Sequence, residues 1–203
     1  MEISVYTGGM VSTNAYLIED GDICVLFDAP EGVAGWLQSK GKKPSHCYLT
    51  HQHFDHVEDV AALNEMGVTV LAYMERSEEL VHQQLARTWG LPVNIRDYKI
   101  DQLLADTTNH DASGLPLEIF HVPGHSVDSI AFYHQGSATL IAGDTLFASG
   151  VGRSDLPGGN ELTLFTSIKE KLYSLPDETS VYPGHGPRTT IGVEANGNPY
   201  VKK

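Results

Sequence analysis

The chain has 203 residues, which suits one compact domain over 1–203 with a sizeable core; a second domain is not required. Its 26 acidic and 13 basic residues give a net charge of −13 with histidines neutral, which disfavours a broad nucleic-acid surface, because neutralising phosphates needs clustered Lys and Arg. Hydrophobic residues make up 41%, no apolar run reaches the length of a bilayer span, and Met1-Glu2-Ile3-Ser4 lacks the basic-then-apolar start of a secretory signal. A soluble cytoplasmic protein that binds neither nucleic acid nor membrane is expected. Cys24 and Cys47 sit in apolar strand-like runs and read as buried free thiols.

In chain order, Ile3 to Tyr6, Ala15 to Ile18 and Ile23 to Phe27 read as short strands separated by Gly8-Gly9 and Asp20-Gly21. Pro30-Glu31-Gly32 breaks the pattern before a short helix over Val33 to Ser39. His46 to Leu49 is a strand, Asp59 to Met66 a helix stopped by Gly67, and Val68 to Leu71 a further strand. Leu80, Val81, Leu85 and Trp89 stand near helical spacing and predict one helix over Glu75 to Trp89. From Leu91 to Leu115 a polar, turn-rich covering loop is expected. Leu117 to Val122, Ile130 to Tyr133, Thr139 to Ala142 and Ser180 to Tyr182 are strands, and Glu161 to Leu175 is a helix with Leu164, Phe165, Ile168, Leu172 and Leu175 on one face.

The chemistry is concentrated in Thr50-His51-Gln52-His53-Phe54-Asp55-His56. His51 and His53 lie two apart, so in an extended segment both imidazoles point to one side. Asp55 and His56 are adjacent and converge only at a turn or a first helical residue, so the stretch reads as strand end, ligand loop and helix from Val57 onward. Three later strand ends each offer one more ligand: His125 after Val122-Pro123-Gly124, Asp144 after Gly143, and His185 between Gly184 and Gly186. The glycines permit turns and close backbone approach there. Seven candidate ligands are too many for one tetrahedral ion and suit two ions sharing a carboxylate. Imidazole and carboxylate together suit zinc, iron or manganese. Two dications, two carboxylates and a bridging hydroxide leave a site charge of about +1, able to supply hydroxide near neutral pH and to polarise a carbonyl.

These residues also carry a resemblance. Thr50-His51-X-His53-X-Asp55-His56 resembles the signature of the metallo-β-lactamase superfamily, and Gly124-His125-Ser126, Gly143-Asp144-Thr145-Leu146-Phe147 and Pro183-Gly184-His185-Gly186 follow in the family's order. Within it the chain is most similar to short bacterial glyoxalase II-like hydrolases, through Gly150-Val151-Gly152-Arg153-Ser154-Asp155 and through Thr190-Ile191-Gly192-Val193-Glu194 with Asn198-Pro199-Tyr200. The resemblance implies an α/β fold, a four-layer αββα sandwich with two mixed β-sheets. It implies two divalent metal ions, zinc foremost with iron or manganese as alternatives. His51, His53 and His125 would hold the first and Asp55, His56 and His185 the second, with Asp144 bridging. The implied reaction is hydrolysis of a small-molecule thioester, S-lactoylglutathione-like, by attack of a metal-bound hydroxide, with Asp55 as the catalytic residue that orients the nucleophile.

The chain departs from the pattern in two places. Val57-Glu58-Asp59 follow the Asp-His pair where family members commonly have glycine, and Glu58 and Asp59 read as solvated helix-start carboxylates. The C-terminal helices with which longer glyoxalase II proteins grip glutathione are not expected here. A sulfur dioxygenase with a single iron is the alternative enzyme, in which His185 would be dispensable; the intact Pro183-Gly184-His185-Gly186 favours the hydrolase. A non-catalytic metal-binding protein is the alternative from another class, and seven intact ligands weigh against it. Lactonase or β-lactamase activity is expected only as a side reaction. Arg153 reads as the structural ion-pair partner of Asp155, and Ser126 and Ser129 as capping or hydrogen-bonding groups. His46, His82, His110, His121 and His134 read as non-ligands, with His121 next to the Pro-Gly-His turn. Oligomeric state is not legible.

Overall fold

A computed structural model of the chain describes residues 1–104, 109–112 and 114–203. It contains two compact units, Met1–Asp106 with Ala112–Gly114, and Thr107–Asp111 with Leu115–Lys203.

The first unit holds a six-stranded mixed sheet in the order β1-β2-β3-β4-β5-β6. β1 (Glu2–Gly8), β2 (Thr13–Asp20) and β3 (Ile23–Phe27) form an antiparallel meander across the two expected glycine turns. β4 (His46–Tyr48), β5 (Thr69–Ala72) and β6 (Gln102–Leu103) then add in parallel. Parallel neighbours need crossovers, and helices supply them. α1 (Val33–Ser39) leads to β4, α2 (Phe54–Val57) and α3 (Val60–Glu65) lead to β5, and α4 (Glu78–Val81) and α5 (Gln83–Thr88) precede β6. Leu17, Leu26, Leu37, Leu49, Leu63 and Val70 are fully buried in this unit's core; truncating such a leucine to alanine costs about 2–5 kcal/mol. α1 matches its expected bounds, and Gly67 takes a φ of 74° after α3, where a β-carbon would be strained.

One expectation is corrected here. The helix over Glu75 to Trp89 is two helices, broken at His82, whose φ is 55°. Ser77 caps α4 by accepting the Leu80 N–H, and left-handed His82 closes it with its N–H on the Glu78 carbonyl. The break redirects the apolar face: Leu80, Val81, Ala86 and the His82 ring bury, while Trp89 is left 47% exposed. The ligand-loop helix also starts earlier than expected, at Phe54, so Asp55 and His56 are helical residues. In the 91–115 region, 105–108 and 113 lie outside the described residues; before them Tyr98 donates its hydroxyl to the Gln52 side-chain Oε1 at 3.0 Å, which ties this segment to the ligand loop.

The second unit's sheet runs β14-β13-β10-β9-β8-β7. β7 (Asn109–Ala112), β8 (Leu115–His121), β9 (Ile130–His134) and β10 (Thr139–Gly143) are followed by a separate hairpin of β11 (Leu146–Phe147) and β12 (Gly150–Val151), then by β13 (Ser180–Pro183) and β14 (Thr189–Thr190). β8, β9 and β10 are antiparallel, β10 and β13 parallel, β13 and β14 antiparallel. The crossover from β10 to β13 contains α6 (Glu161–Ser167), capped by Asn160 and continued by a π-helical turn over Ile168–Leu172. Leu164, Ile168 and Leu172 recur every fourth residue and are all buried. That four-residue spacing sets all three on one face of the helix. α7 (Ile191–Gly197) closes the unit, with Thr190 accepting the Val193 N–H.

Candidate metal centre

In the first unit the ligand loop sits where β4 hands over to α2, at the end of a buried parallel strand. His51, His53, Asp55 and His56 are all buried. The rings of His51 and His53 lie 4.6 Å apart and those of His51 and His56 4.1 Å apart. Ligand atoms of His51 and His53, of His51 and His56, and of Asp55 and His56 come within 4.8 Å of one another.

A buried carboxylate fixes which ring nitrogen each histidine presents. Asp28, at the end of β3 with a φ of 61°, accepts the Thr50 backbone N–H at 2.8 Å, the Thr50 hydroxyl at 2.8 Å and the His56 Nδ1–H at 2.9 Å. His56 therefore carries its proton on Nδ1, which leaves the Nε2 lone pair facing Asp55 Oδ2 at 3.3 Å. Since Thr50 spends its only hydrogen on Asp28, it accepts from His51 Nδ1 at 3.1 Å, which turns His51 Nε2 into an acceptor as well. Asp55 Oδ2 in turn accepts the buried Thr13 hydroxyl at 2.6 Å.

The second unit repeats the arrangement. His125 Nδ1–H donates to the Arg153 carbonyl at 2.6 Å, so Nε2 presents its lone pair, 3.6 Å from Asp144 Oδ2. His185 Nε2 lies 3.3 Å from the same Asp144 oxygen. Asp144 follows a register shift in β10 between Ile141 and Gly143, and Gly143 has a φ of 50°. Gly152 is required beside it, because a β-carbon there would overlap the Asp144 carbonyl oxygen. Neutral imidazole nitrogens facing carboxylate oxygens at these separations repel unless a proton or a cation lies between them. Locked Nδ1 protons with Nε2 presented are what metal-ligating histidines require, so this donor set fits a divalent cation.

The remaining expectations resolve within their own units. Arg153 forms a two-point ion pair with Asp155 at 2.7 and 2.8 Å, and that guanidinium holds the Asp155 carboxyl at a pKa of about 2. Ser126 donates to Asp128 at 2.5 Å, and Ser129 Oγ accepts the Ser126 N–H at 3.2 Å, so both serines brace the His125 turn. His121 Nε2 donates to the Val127 carbonyl at 2.8 Å. Glu58 and Asp59 are not simply solvated. Asp59 accepts the Ala34 N–H at 2.9 Å in the first turn of α1. Glu58 accepts the Glu31 N–H at 3.2 Å, and burial pushes its carboxyl up to about 7. Sequence reasoning gave no role to Asp28, Thr13 or His82, whose ring lies 4.7 Å from that of His53. The signal for Asp28 was present: like Asp144, it is a carboxylate closing an apolar strand.

The model of the metallo-β-lactamase superfamily matches residues 8–185, a span that contains all seven candidate ligands. The chain belongs to that superfamily, has its fold with two mixed sheets and attendant helices, and is a hydrolase-type, metal-binding enzyme. It is 34% identical over 198 residues to the probable metallo-hydrolase YqgX of Bacillus subtilis (strain 168), covering 95% of this chain and 94% of that one. It is 36% identical over 162 residues to the hydroxyacylglutathione hydrolase GloC of Haemophilus influenzae, covering 75% and 74%. Among solved structures it is similar to the BLEG-1 B3 metallo-β-lactamase, with a TM-score of 0.87, 32% identity and full coverage of both chains. For TTHA1623 in a di-iron-bound form the TM-score is 0.86 with 38% identity, covering 98% of this chain and 100% of that one. For ETHE1 from Myxococcus xanthus it is 0.81 with 29% identity, covering 99% and 84%. No helix among the described residues is long and apolar enough to cross a membrane.

Proposed function

We propose that the chain is a binuclear metal hydrolase that cleaves a small-molecule thioester of the S-lactoylglutathione kind, its two units serving as one catalytic domain. The donor set carries this reading: buried imidazoles with their Nδ1 protons tied down and Nε2 presented, beside Asp55 in one unit and Asp144 in the other. Likeness to GloC supports the substrate class, and likeness to a chain solved with two irons supports a pair of ions. His51, His53 and His125 would hold one ion, Asp55, His56 and His185 the other, and Asp144 both; zinc is proposed first, with iron or manganese as alternatives. Bound dications would supply acidified water near neutral pH and an electrophile for the carbonyl oxygen.

The chain's own groups then do the following. Asp55, with Oδ2 held by Thr13, orients the attacking water by accepting its hydrogen bond. The C–O bond forms as the C–S bond breaks, and sulfur leaves with the bonding pair. Asp28, through His56 and through Thr50 to His51, keeps these rings in the ligating tautomer during turnover. The reducing cytoplasm is the proposed setting, which the free thiols Cys24 and Cys47 suit.

Elemental analysis of the purified protein, combined with cleavage of S-lactoylglutathione, tests the reading. Two metals per chain with thioester turnover is the expected result, and Asp144→Ala should lower kcat/KM by more than about 100-fold, beyond what removing a supporting residue costs, and lose metal. Near-normal turnover with two metals in that variant would overturn it. One iron per chain with oxygen uptake would install the sulfur dioxygenase instead, preferential turnover of a chromogenic β-lactam the activity of the BLEG-1 relative, and metal without any reaction a binding protein.

A further inference from the structure

The ending Thr190-Ile191-Gly192-Val193-Glu194 with Asn198 accompanies the ligand motifs in the sequence, yet contributes no ligand. Its central residue is a carboxylate only 1% exposed. A buried carboxylate is costly unless its oxygens are filled, and here donors from three separate segments fill them. Glu194 Oε1 accepts the Thr189 hydroxyl at 2.6 Å; Oε2 accepts the Ser149 backbone N–H and the Asn198 side-chain amide, each at 2.9 Å. Asn198 reaches further, donating to the Gly150 carbonyl at 3.0 Å.

The positions of these donors give the cluster its meaning. Thr189 opens β14, at the far end of the loop that leaves β13 carrying His185. Ser149, with Ala148, forms the turn of the β11–β12 hairpin that Gly150 closes by pairing with Phe147, and Ser149 is held there at a φ of 56°, a left-handed conformation that strains a non-glycine residue. On the same hairpin, Phe147 sets its ring edge-on to His185, with centroids 6.1 Å apart and an interplanar angle of 88°. One carboxylate thus joins the root of the His185 loop to the hairpin whose aromatic ring bounds the His185 imidazole. His185 is the more exposed partner of Asp144, its side chain 26% accessible against 4% for that of His125, and so depends more on such bracing.

We infer that Glu194 is a positioning residue for His185: it fixes the loop and the hairpin on either side of the imidazole and so sets the ring's approach to Asp144. The inference rests on the binuclear reading above. A brace for folding alone would lower stability and leave the folded protein's metal affinity untouched.

The experiment is zinc titration of the full chain against a chromophoric chelator, with melting temperature recorded in parallel. In Glu194→Ala one of two binding steps should weaken by about 10–100-fold, the loss typical for removing a group that orients a ligand, while the other step stays as in the wild type. Glu194→Gln should restore both steps to within about threefold, because its carbonyl can accept from Ser149 and Asn198 while its amide donates to the amphoteric Thr189 hydroxyl. Should Glu194→Ala fail to fold, Thr189→Val removes one half-buried hydroxyl and severs only the loop-side link; it should weaken the same step by a few-fold with little change in melting temperature. Unaltered binding steps in folded Glu194→Ala or Thr189→Val would overturn the inference and leave the binuclear reading standing. So would a Glu194→Gln protein as impaired as Glu194→Ala. Wild-type protein that takes up fewer than two zinc ions would overturn the binuclear reading itself, and this inference with it.

Discussion

Asp28 shows how much of the candidate centre depends on residues that never touch a metal. Its two oxygens take three hydrogen bonds, and two of these determine where the His51 and His56 protons reside. Asn tolerates a φ near 61° and matches Asp in shape, so Asp28→Asn should fold. Its amide nitrogen would face His56 Nδ1 and force the proton to Nε2, the nitrogen needed for ligation. Zinc affinity should fall by about 10–100-fold, read by chelator competition, with an unchanged circular dichroism spectrum; wild-type affinity would refute the tautomer argument. All seven ligand candidates were legible in the sequence because their residue types and spacing already declare metal chemistry. Thr13 was not, and Asp28 stood out only as a carboxylate closing an apolar strand, because their partners lie 42 and 28 residues away and only the folded chain brings them together. Glu194 was legible as part of a motif but not as a set of bonds.

At the scale of elements, the longer strands and their turns were read well, since alternation and glycine turns are local properties, whereas β6 and β7 lie where a covering loop was expected and the two-residue strands β11, β12 and β14 were not foreseen. Helix continuity was read less well. Leu80, Leu85 and Trp89 suggest one apolar face, but a buried left-handed residue at 82 overrides that periodicity, and Ile168–Leu172 form a π turn where a uniform helix was expected. The site's dependence on backbone geometry is sharpest at Gly124, the residue before His125. Its φ is 131°, and a β-carbon there would overlap the backbone of Leu164 in α6. Gly124→Ala combines strain and overpacking of about 1–3 kcal/mol each, so a loss of roughly 2–6 kcal/mol is expected by urea denaturation. A stability within about 1 kcal/mol of wild type would mean that α6 yields more readily than its packing suggests.

For the whole molecule, 26 acidic residues against 13 basic ones set a charge balance that bound dications would offset in part. Ligands that bind the folded chain and not the unfolded one add stability by mass action, about 2.7 kcal/mol at a free concentration 100 times the dissociation constant. For a chain of this size that corresponds to a rise in melting temperature of about 5–10 °C, which a chelator should reverse. Scanning calorimetry with and without zinc checks it; a melting point indifferent to both would argue against any resident ion. Fold class was legible at this scale through ordered motifs, whereas the division into two units with separate cores was not, since it depends on which distant strands pair.

The Asp28 cluster also bears on how the centre fills. On the proposed binuclear reading His51 and His56 serve different ions, yet both take their orientation from the same carboxylate, one by way of the Thr50 hydroxyl and the other directly. A cation that settles on one ring steadies the hub and so readies the other ring for its neighbour. Removing that carboxylate should accordingly weaken both zinc-binding steps, whereas a change on the His185 side weakens one.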